Sequence, residues 1–250
     1  MKSIQDLVCD VYKECFSAIK NGEEIERFSA SDKEFSFSNW FRKQLKKQKI
    51  KIDPPSRNAY PDFKVSGQAV GFEVKGLGFP GREKNYDCNS QVPSGLHDGS
   101  EIYYVFGRYP AKAKGKTYPV LDLVLCHGDL LNSDHEYVHK NKNLKEFGNY
   151  GDIMIRDRKM YVAPTPYHLL SNVGFEITLI LKNKGENISG LSQIGHLKRT
   201  VVDRLIRGYE FDMITNNLTA KKVRNKKAGS SLDFYAYTAS KTSKPVCLTV

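Results

Sequence analysis

The stretch from Lys51 to Gly76 constrains the fold more than any other part of the sequence. Its first half, KIDPPSRNAYPDF, contains three prolines and therefore excludes a continuous helix. Two short apolar segments, DFKV and AVGFEVKG, then flank the turn residues Ser66-Gly67. We therefore predict two short adjacent strands joined by a tight turn.

Segments rich in β-branched and aromatic residues dominate the middle of the chain. Runs of this kind, four to eight residues or slightly longer and bounded by turn residues, are typical of strands. The candidates are EIYYVFGRY at 101–109, PVLDLVLC at 119–126, KMYVA at 159–163 and FEITLILK at 175–182. Their number indicates a central β-sheet.

Helical periodicity flanks these strands on both sides. Residues 3–20 carry apolar side chains at three- and four-residue intervals, which predicts an amphipathic helix. A second helix is predicted from about Ser31 to Lys47, with Ser31 or Asp32 as its N-cap. A third is predicted near Leu191–Tyr209, where aliphatic residues again recur at helical spacing.

The predicted elements fit one α/β domain over residues 1–250, which is an ordinary size for a single domain. We divide it into N-terminal helices (1–50), a sheet core with polar loops (58–182), and a C-terminal helix with a basic segment (183–250). The expected fold class is α/β.

The net charge of the chain indicates a polyanionic partner. Lys and Arg number 39 against 28 Asp and Glu, which gives a formal charge of +11. Nucleic acid is the first candidate for such a basic protein. One short basic run, KKVRNKK at 221–227, is either a solvated loop or a segment that contacts phosphates.

The cysteine pattern and the hydropathy bear on localisation. Five cysteines without a C-x-x-C pair argue against a disulfide framework and against a zinc ribbon. No apolar run approaches the ~18 residues that a membrane span requires, and charges interrupt the apolar N-terminal segment. We therefore expect a cytoplasmic protein without a signal peptide or a membrane span.

The predicted second strand carries a distinctive polar pair. Glu73 and Lys75 are two residues apart, so the pleat places both on one face, while Phe72 and Val74 point to the other. If Asp62 lies on the adjacent strand, its carboxylate comes beside Glu73. Two carboxylates with water and a phosphate oxygen can hold Mg²⁺, which lowers the pKa of a bound water. The Lys75 ammonium can then orient or activate that water, or stabilise charge on the phosphate.

The pattern Pro61-Asp62 followed by Glu73-Val74-Lys75 resembles the motif of the PD-(D/E)xK nuclease superfamily, and in particular of type II restriction endonucleases. The resemblance covers about residues 30–130. It implies a restriction-endonuclease-like mixed sheet, with Asp62 and Glu73 as Mg²⁺ ligands and Lys75 as the catalytic lysine. Many members add a glutamate from the first helix, and Glu34 or Glu26 could occupy that place.

The stretch after Lys75 resembles the region that leads from the active-site strand into the DNA groove in several restriction endonucleases. It is rich in residue types that hydrogen-bond base edges and phosphates. The DNA-binding candidates are Arg82, Lys84, Asn85, Asn89, Ser90, Gln91 and His97. An ordinary polar loop is the alternative interpretation.

The resemblance implies Mg²⁺-dependent, sequence-specific hydrolysis of double-stranded DNA that leaves 5′-phosphate and 3′-hydroxyl ends. A homodimer is expected because two-fold symmetry matches a palindromic site, and a DNA methyltransferase is expected as the genetic partner. Two alternatives stay open at this point. One is a structure-specific repair or junction-resolving nuclease of the same fold, and the other is a non-catalytic nucleic-acid-binding protein.

A second motif indicates a different chemistry. Residues His135-Glu136-Tyr137-Val138-His139 match the H-E-x-x-H signature of zinc metalloproteases. The surrounding sequence, NSDHEYVHKNKNLKEF, lacks the apolar face that such a buried helix needs. It also offers no third ligand at a recognisable spacing. We therefore set the zinc interpretation aside in favour of the Asp62, Glu73 and Lys75 centre.

Overall fold

A central mixed β-sheet flanked by few helices forms the body of the protein. The computed structural model describes residues 2–27, 33–54, 60–89, 92–132, 161–183, 188–241 and 243–249. The helices are α1 (Ile4–Lys20), α2 (Lys33–Lys47) and the short α3 (Pro166–Leu169). The strands are β1 (Glu24–Glu26), β2 (Phe63–Lys64), β3 (Val70–Phe79), β4 (Asn85–Asn89), β5 (Leu96–His97), β6 (Ser100–Pro110), β7 (Thr117–Pro119), β8 (Asp122–His127), β9 (Tyr161–Pro164), β10 (Leu170–Ser171), β11 (Thr178–Leu181), β12 (Ser192–Thr200), β13 (Arg204–Asp212), β14 (Asn217–Arg224), β15 (Ser231–Thr238) and β16 (Cys247–Leu248).

The main sheet has the strand order β12-β15-β11-β8-β6-β3-β2, and β5 pairs with the beginning of β6. The pairs β3–β6 and β8–β11 are parallel, and the other neighbours are antiparallel. Four further strand pairs lie outside this sheet: β1–β7, β4–β9, β10–β16 and β13–β14. The protein therefore has an α/β fold with a mixed central sheet, as the resemblance implied.

Each face of the sheet has its own apolar core. Helices α1 and α2 cover one face, where Phe72 and Val74 of β3 pack among their apolar side chains. The opposite face buries Tyr104 and Phe106 of β6 together with residues of β4 and β9. Since Glu73 lies opposite Tyr104 in the β3–β6 register, the polar pair of β3 belongs to this second face.

Most of the predicted elements are present in the structure. Helices α1 and α2 are confirmed, and the Ser3 side chain caps α1 by accepting a hydrogen bond of 3.1 Å from the backbone of Asp6. The suggested N-caps of α2, Ser31 and Asp32, lie outside the described residues. The strand predictions correspond to β6, β8, β9 and β11, and a turn at Gly67, with φ of +75°, joins the strands of the β2–β3 region.

The predicted C-terminal helix near Leu191–Tyr209 is wrong. The structure has β12 and β13 there instead. A bulge between Gln193 and Gly195 shifts the alternation of buried and exposed side chains in β12. Beyond the bulge every second residue is buried, as in a regular strand, although the aliphatic residues across the bulge are spaced as in a helix. Arg199 occupies a buried position of that period, which concealed the alternation in the sequence.

The basic run at 221–227 begins inside β14 and continues into the turn that follows it. It is therefore only partly a loop. Among the described helices, none combines the length and the apolar character needed to cross a membrane.

Candidate active site

Asp62 and Glu73 lie side by side at the edge of the sheet. The β2–β3 register pairs Phe63 with Phe72, so the next pair outward brings Asp62 opposite Glu73. The backbone N–H of Asp62 donates to Glu73 Oε2 over 3.1 Å, and the backbone N–H of Val74 donates to Asp62 Oδ2 over 2.8 Å. Each carboxylate is thus held by the backbone of the other strand.

The third predicted residue joins this pair. Lys75 Nζ lies 2.8 Å from Glu73 Oε1, and the side chains of Lys75 and Glu73 are only 14% and 11% exposed. Limited contact with water strengthens the interaction of such charges. Because Asp62 is exposed, the cluster still opens to solvent, as a site that acts on a polymer requires.

A glycine on β3 allows the two strands to approach at this point. A Cβ atom at Gly71 would lie 2.4 Å from Cγ of the Pro61 ring and 3.1 Å from the carbonyl oxygen of Phe63. Any larger residue would push the Pro61-Asp62 segment away from β3. Gly71 therefore sets the position of the Asp62 carboxylate against Glu73.

The environment of Asp62 makes its ionised form unfavourable. Partial removal from water and then the nearby charge of Glu73 raise the pKa of the Asp62 carboxyl from 3.8 to about 6. The Lys75 ammonium, the Val74 N–H and the Arg42 guanidinium act in the opposite direction but do not compensate. The neighbouring cations therefore do not fully offset the cost of ionising Asp62 beside Glu73.

This donor set fits a hard divalent cation. Among the described residues, Asp62 Oδ1 has no hydrogen-bond donor, and Glu73 and Asp62 together offer carboxylate oxygens of the kind that Mg²⁺ prefers. No cluster of three or more His, Cys, Asp or Glu side chains suited to a metal occurs in the described part of the chain. A cation held here would thus have two protein carboxylates and would complete its shell with water or substrate oxygens, which Mg²⁺ commonly does.

Hydroxyl and aromatic groups that the sequence analysis did not select lie beside the trio. The hydroxyls of Tyr60 and Tyr104 are 2.8 Å apart, and the Glu73 charge contributes to raising the pKa of both tyrosines, after burial as the main cause. Tyr60 directly precedes the Pro61-Asp62 motif, so its position in the sequence was a usable signal. Tyr104 lies about thirty residues after Glu73, and only the β3–β6 register shows that the two are neighbours.

Arg42 is a further basic group that sequence reasoning passed over as part of a basic helix end. Its guanidinium lies 5.2 Å from the centre of the Phe63 ring and lowers the pKa of Asp62. In the described part of the chain, its buried Nε has no hydrogen-bond partner. Arg42 therefore brings a second positive charge to the neighbourhood of the carboxylates.

The predicted DNA-binding residues do not form one group. Arg82 and Lys84 are exposed in the turn that follows the end of β3, whereas Glu73 lies near the beginning of that strand. Asn85, which is also exposed, is the first residue of β4. His97 lies in β5, near the beginning of β3, with its ring 4.8 Å from that of Tyr60. The side chain of Asn89 and residues Ser90 and Gln91 lie outside the described residues.

The stretch after Lys75 is also more ordered than a polar loop. Residues 85–89 form β4, which pairs with β9, and Tyr86 and Cys88 pack onto the second face of the sheet. Burial raises the pKa of the Cys88 thiol to about 12, although the Lys75 ammonium acts to lower it. The β4–β9 pair therefore covers the sheet next to Lys75.

The remaining sequence candidates are Glu34, Glu26 and the H-E-x-x-H stretch, and of these only Glu26 has a described side chain. Glu34 lies in the first turn of α2, and its side chain is outside the described residues. Glu26 lies in β1 and lines a separate surface pocket with Asn39 and Lys43. The H-E-x-x-H stretch at 135–139 also lies outside the described residues.

No family model, no curated protein and no solved structure matches the chain.

Proposed function

We propose that the protein is a Mg²⁺-dependent DNA endonuclease of the type II restriction class with a restriction-endonuclease-like fold. The observation that carries this proposal is the convergence of Asp62, Glu73 and Lys75 on neighbouring strands. The mixed sheet with two helices on one face agrees with the architecture that the PD-(D/E)xK resemblance implies. The charge of +11 suits a polyanionic substrate.

The residues of the trio have complementary tasks in phosphodiester hydrolysis. Asp62 and Glu73 would hold the cation, which when bound offsets negative charge on the phosphate. Lys75 presents a shielded ammonium next to Glu73, where it orients or activates the attacking water or stabilises charge on the phosphate. The backbone donors of Asp62 and Val74 keep both carboxylates oriented before substrate arrives.

The wider biology follows from the same proposal. A homodimer would supply one active site for each strand of a palindromic duplex. A DNA methyltransferase would protect the host genome as the genetic partner, and the system would act in a prokaryotic cytoplasm. A structure-specific repair or junction-resolving nuclease of the same fold is the competing assignment.

The direct test is incubation of the purified chain with unmethylated plasmid and Mg²⁺, followed by sequencing of the fragment ends. We expect discrete fragments with 5′-phosphate ends and no cleavage in EDTA. Cleavage restricted to branched or mismatched DNA would favour the repair assignment. Binding to duplex without cleavage under any divalent metal would remove the nuclease proposal and leave a binding protein.

The ionised Asp62 carboxylate, which the proposed activity requires, should lower the stability of the folded protein. At pH above 6 the folded protein carries Asp62 ionised at a cost, because its pKa is raised from 3.8 to about 6. The folded state therefore binds more protons than the unfolded state between these values, and this residue's contribution to stability falls as pH rises through that window. Asp62→Asn should raise Tm at pH 7.5, and the gain should shrink at pH 5.

Thermal unfolding with and without divalent cation measures this effect. Mg²⁺, or Ca²⁺ as a non-cleaving substitute, should raise the Tm of the wild-type chain but not of Asp62→Asn, because only the folded wild type binds it. Asp53→Asn removes one negative charge from a nearby segment outside the Glu73 contact and serves as the matched control. A stabilisation by cation that survives in Asp62→Asn would place the cation elsewhere.

A further inference from the structure

Strands β13 and β14 form a two-stranded ribbon that is separate from the main sheet. They pair from Arg204↔Arg224 to Asp212↔Asn217, with one irregularity after Ile206. At its tip Met213 and Ile214 are 85% and 96% exposed. An isolated two-stranded ribbon is at best marginally stable in water, so a contact along its length would stabilise it.

The base of the ribbon is firmly attached to the sheet. Asn225 is buried, and its Nδ2 donates to the carbonyl oxygen of Val202 over 2.9 Å. Its backbone N–H donates to the carbonyl oxygen of Asp203 over 2.8 Å. The Val201 N–H donates to Ser230 over 2.8 Å, next to the last pair of β12 and β15. The ribbon therefore extends from a fixed point rather than from a long linker.

One side of this base concentrates positive charge. Arg204 lies directly opposite Arg224, and Lys222 is two residues before Arg224 on the same face of β14. These three side chains line a surface groove of about 460 Å³ with Asp203 and Ala228. Like charges directly opposite on a strand pair repel each other, and a phosphate between Arg204 and Arg224 would relieve that repulsion.

The ribbon and the candidate active site face the same end of the sheet. Strand β3 begins at that end, three residues before Glu73, and the ribbon leaves the sheet there between the end of β12 and the beginning of β15. Four strand spacings separate β3 from β15, which is about 20 Å. The pairing register places Glu73 level with Ala236, five residues after the beginning of β15, so the ribbon base lies a further ~17 Å away along the strands. One helical turn of duplex DNA, about 35 Å long, spans both places.

We propose that the β13–β14 ribbon is a second DNA-contacting element, in which Arg204, Lys222 and Arg224 hold backbone phosphates while the ribbon enters the major groove. The assignment rests on the proposed function for its substrate. Guanidinium groups bind phosphate oxygens with two hydrogen bonds, and the major groove of B-DNA admits a two-stranded ribbon. The deep, narrow major groove of double-stranded RNA does not, which favours DNA.

The test compares two triple variants that remove the same charge. Arg204→Gln with Lys222→Gln and Arg224→Gln neutralises the ribbon base. Lys112→Gln with Lys114→Gln and Lys116→Gln neutralises the exposed turn between β6 and β7, at the opposite end of the sheet. Fluorescence anisotropy with a labelled DNA duplex in Ca²⁺ gives Kd over a range of salt concentrations without cleavage.

The ribbon variant should bind duplex DNA at least about tenfold more weakly. The slope of a plot of log Kd against log salt concentration should fall by about 2 to 3, because each lost phosphate contact removes about 0.9 from it. Its Tm should be unchanged or higher, because like charges are removed. The single variant Arg224→Gln should show a smaller change in the same direction, and it keeps the test valid if the triple variant folds poorly.

Several outcomes would overturn the proposal. Equal losses in the two triple variants would mean a general charge effect, and a change in sedimentation without a change in DNA affinity would mean a contact between copies of the chain. Stronger competition by double-stranded RNA than by DNA would exclude groove entry. If the wild-type chain cuts plasmid and the ribbon variant binds DNA normally, the proposed role of the ribbon is wrong and the nuclease proposal stands. If DNA binding depends on the ribbon but no cleavage occurs, the nuclease proposal is wrong and the role of the ribbon stands.

Discussion

Replacing Lys75 by alanine should lower Mg²⁺-dependent DNA cleavage by at least about 10²-fold while DNA affinity stays within about twofold. The ammonium lies 2.8 Å from Glu73 Oε1 and is largely shielded from water, so bulk solvent cannot replace its charge at the phosphate. Glu73→Gln should cause a loss at least as large, because it removes one of two carboxylates available to the cation. Single-turnover cleavage of a plasmid measures both effects.

Lys64→Ala is the matched control for this prediction. Lys64 lies two residues after Asp62 on β2, carries the same charge and is partly exposed, but is not part of the trio. Removal of the Lys64 ammonium should change the cleavage rate by less than about threefold, as expected for a surface charge. A Lys75→Ala variant that cuts as fast as wild type, with Lys64→Ala also unaffected, would mean that the observed activity belongs to another site.

The trio could be predicted because every relation in it is local. A spacing of two within a strand obliges Glu73 and Lys75 to share a face, and the turn at Ser66-Gly67 returns the chain so that Asp62 comes opposite Glu73. These rules need only the alternation of a strand and one turn. The roles of these residues in cleavage stay a prediction that the variants above test.

The surroundings of the trio depend on relations that the local sequence does not contain. Tyr104 meets Glu73 through the parallel pairing of β3 with β6, whose register is set by packing across the whole sheet. Arg42 approaches Asp62 from α2, on which it looks like one of several surface cations. Long-range register and helix docking decide both contacts, and neither has a signature within a short window.

The prediction of a helix in the C-terminal third of the chain was wrong for a different physical reason. The spacing of Ile194, Leu197 and Val201 satisfies a helix, but a bulge in β12 produces the same spacing in a strand. Pairing with β15 then decides the outcome, because tertiary contacts override weak local preference. The ribbon of β13 and β14 was hidden by the same error, since its basic residues were seen only as a short charged run.

The largest stability effect should come from Arg108, at the carboxyl end of β6. Its Nε and Nη2 lie 2.8 and 2.6 Å from Asp122 Oδ2, the Tyr167 hydroxyl donates to Asp122 Oδ1 over 2.5 Å, and the guanidinium lies 4.3 Å from the centre of the Phe79 ring. Both charged side chains are nearly buried, at 13% and 6% exposed. Arg108→Met therefore leaves a buried carboxylate with one donor and should cost about 3 to 5 kcal/mol of unfolding free energy.

The double variant Arg108→Met with Asp122→Asn separates the buried charge from lost packing. Removing the second charge should recover more than half of the loss, because replacing both members of a buried ion pair is far less costly than orphaning one. Burial already raises the pKa of Asp122 despite Arg108, so the deficit of the single variant should also shrink as pH falls and the carboxyl takes up a proton. Urea unfolding at pH 7.5 and pH 5 measures both. A deficit that is equal in the single and double variants and independent of pH would show that Arg108 acts through its packing against Phe79 and Tyr167, and not through its charge.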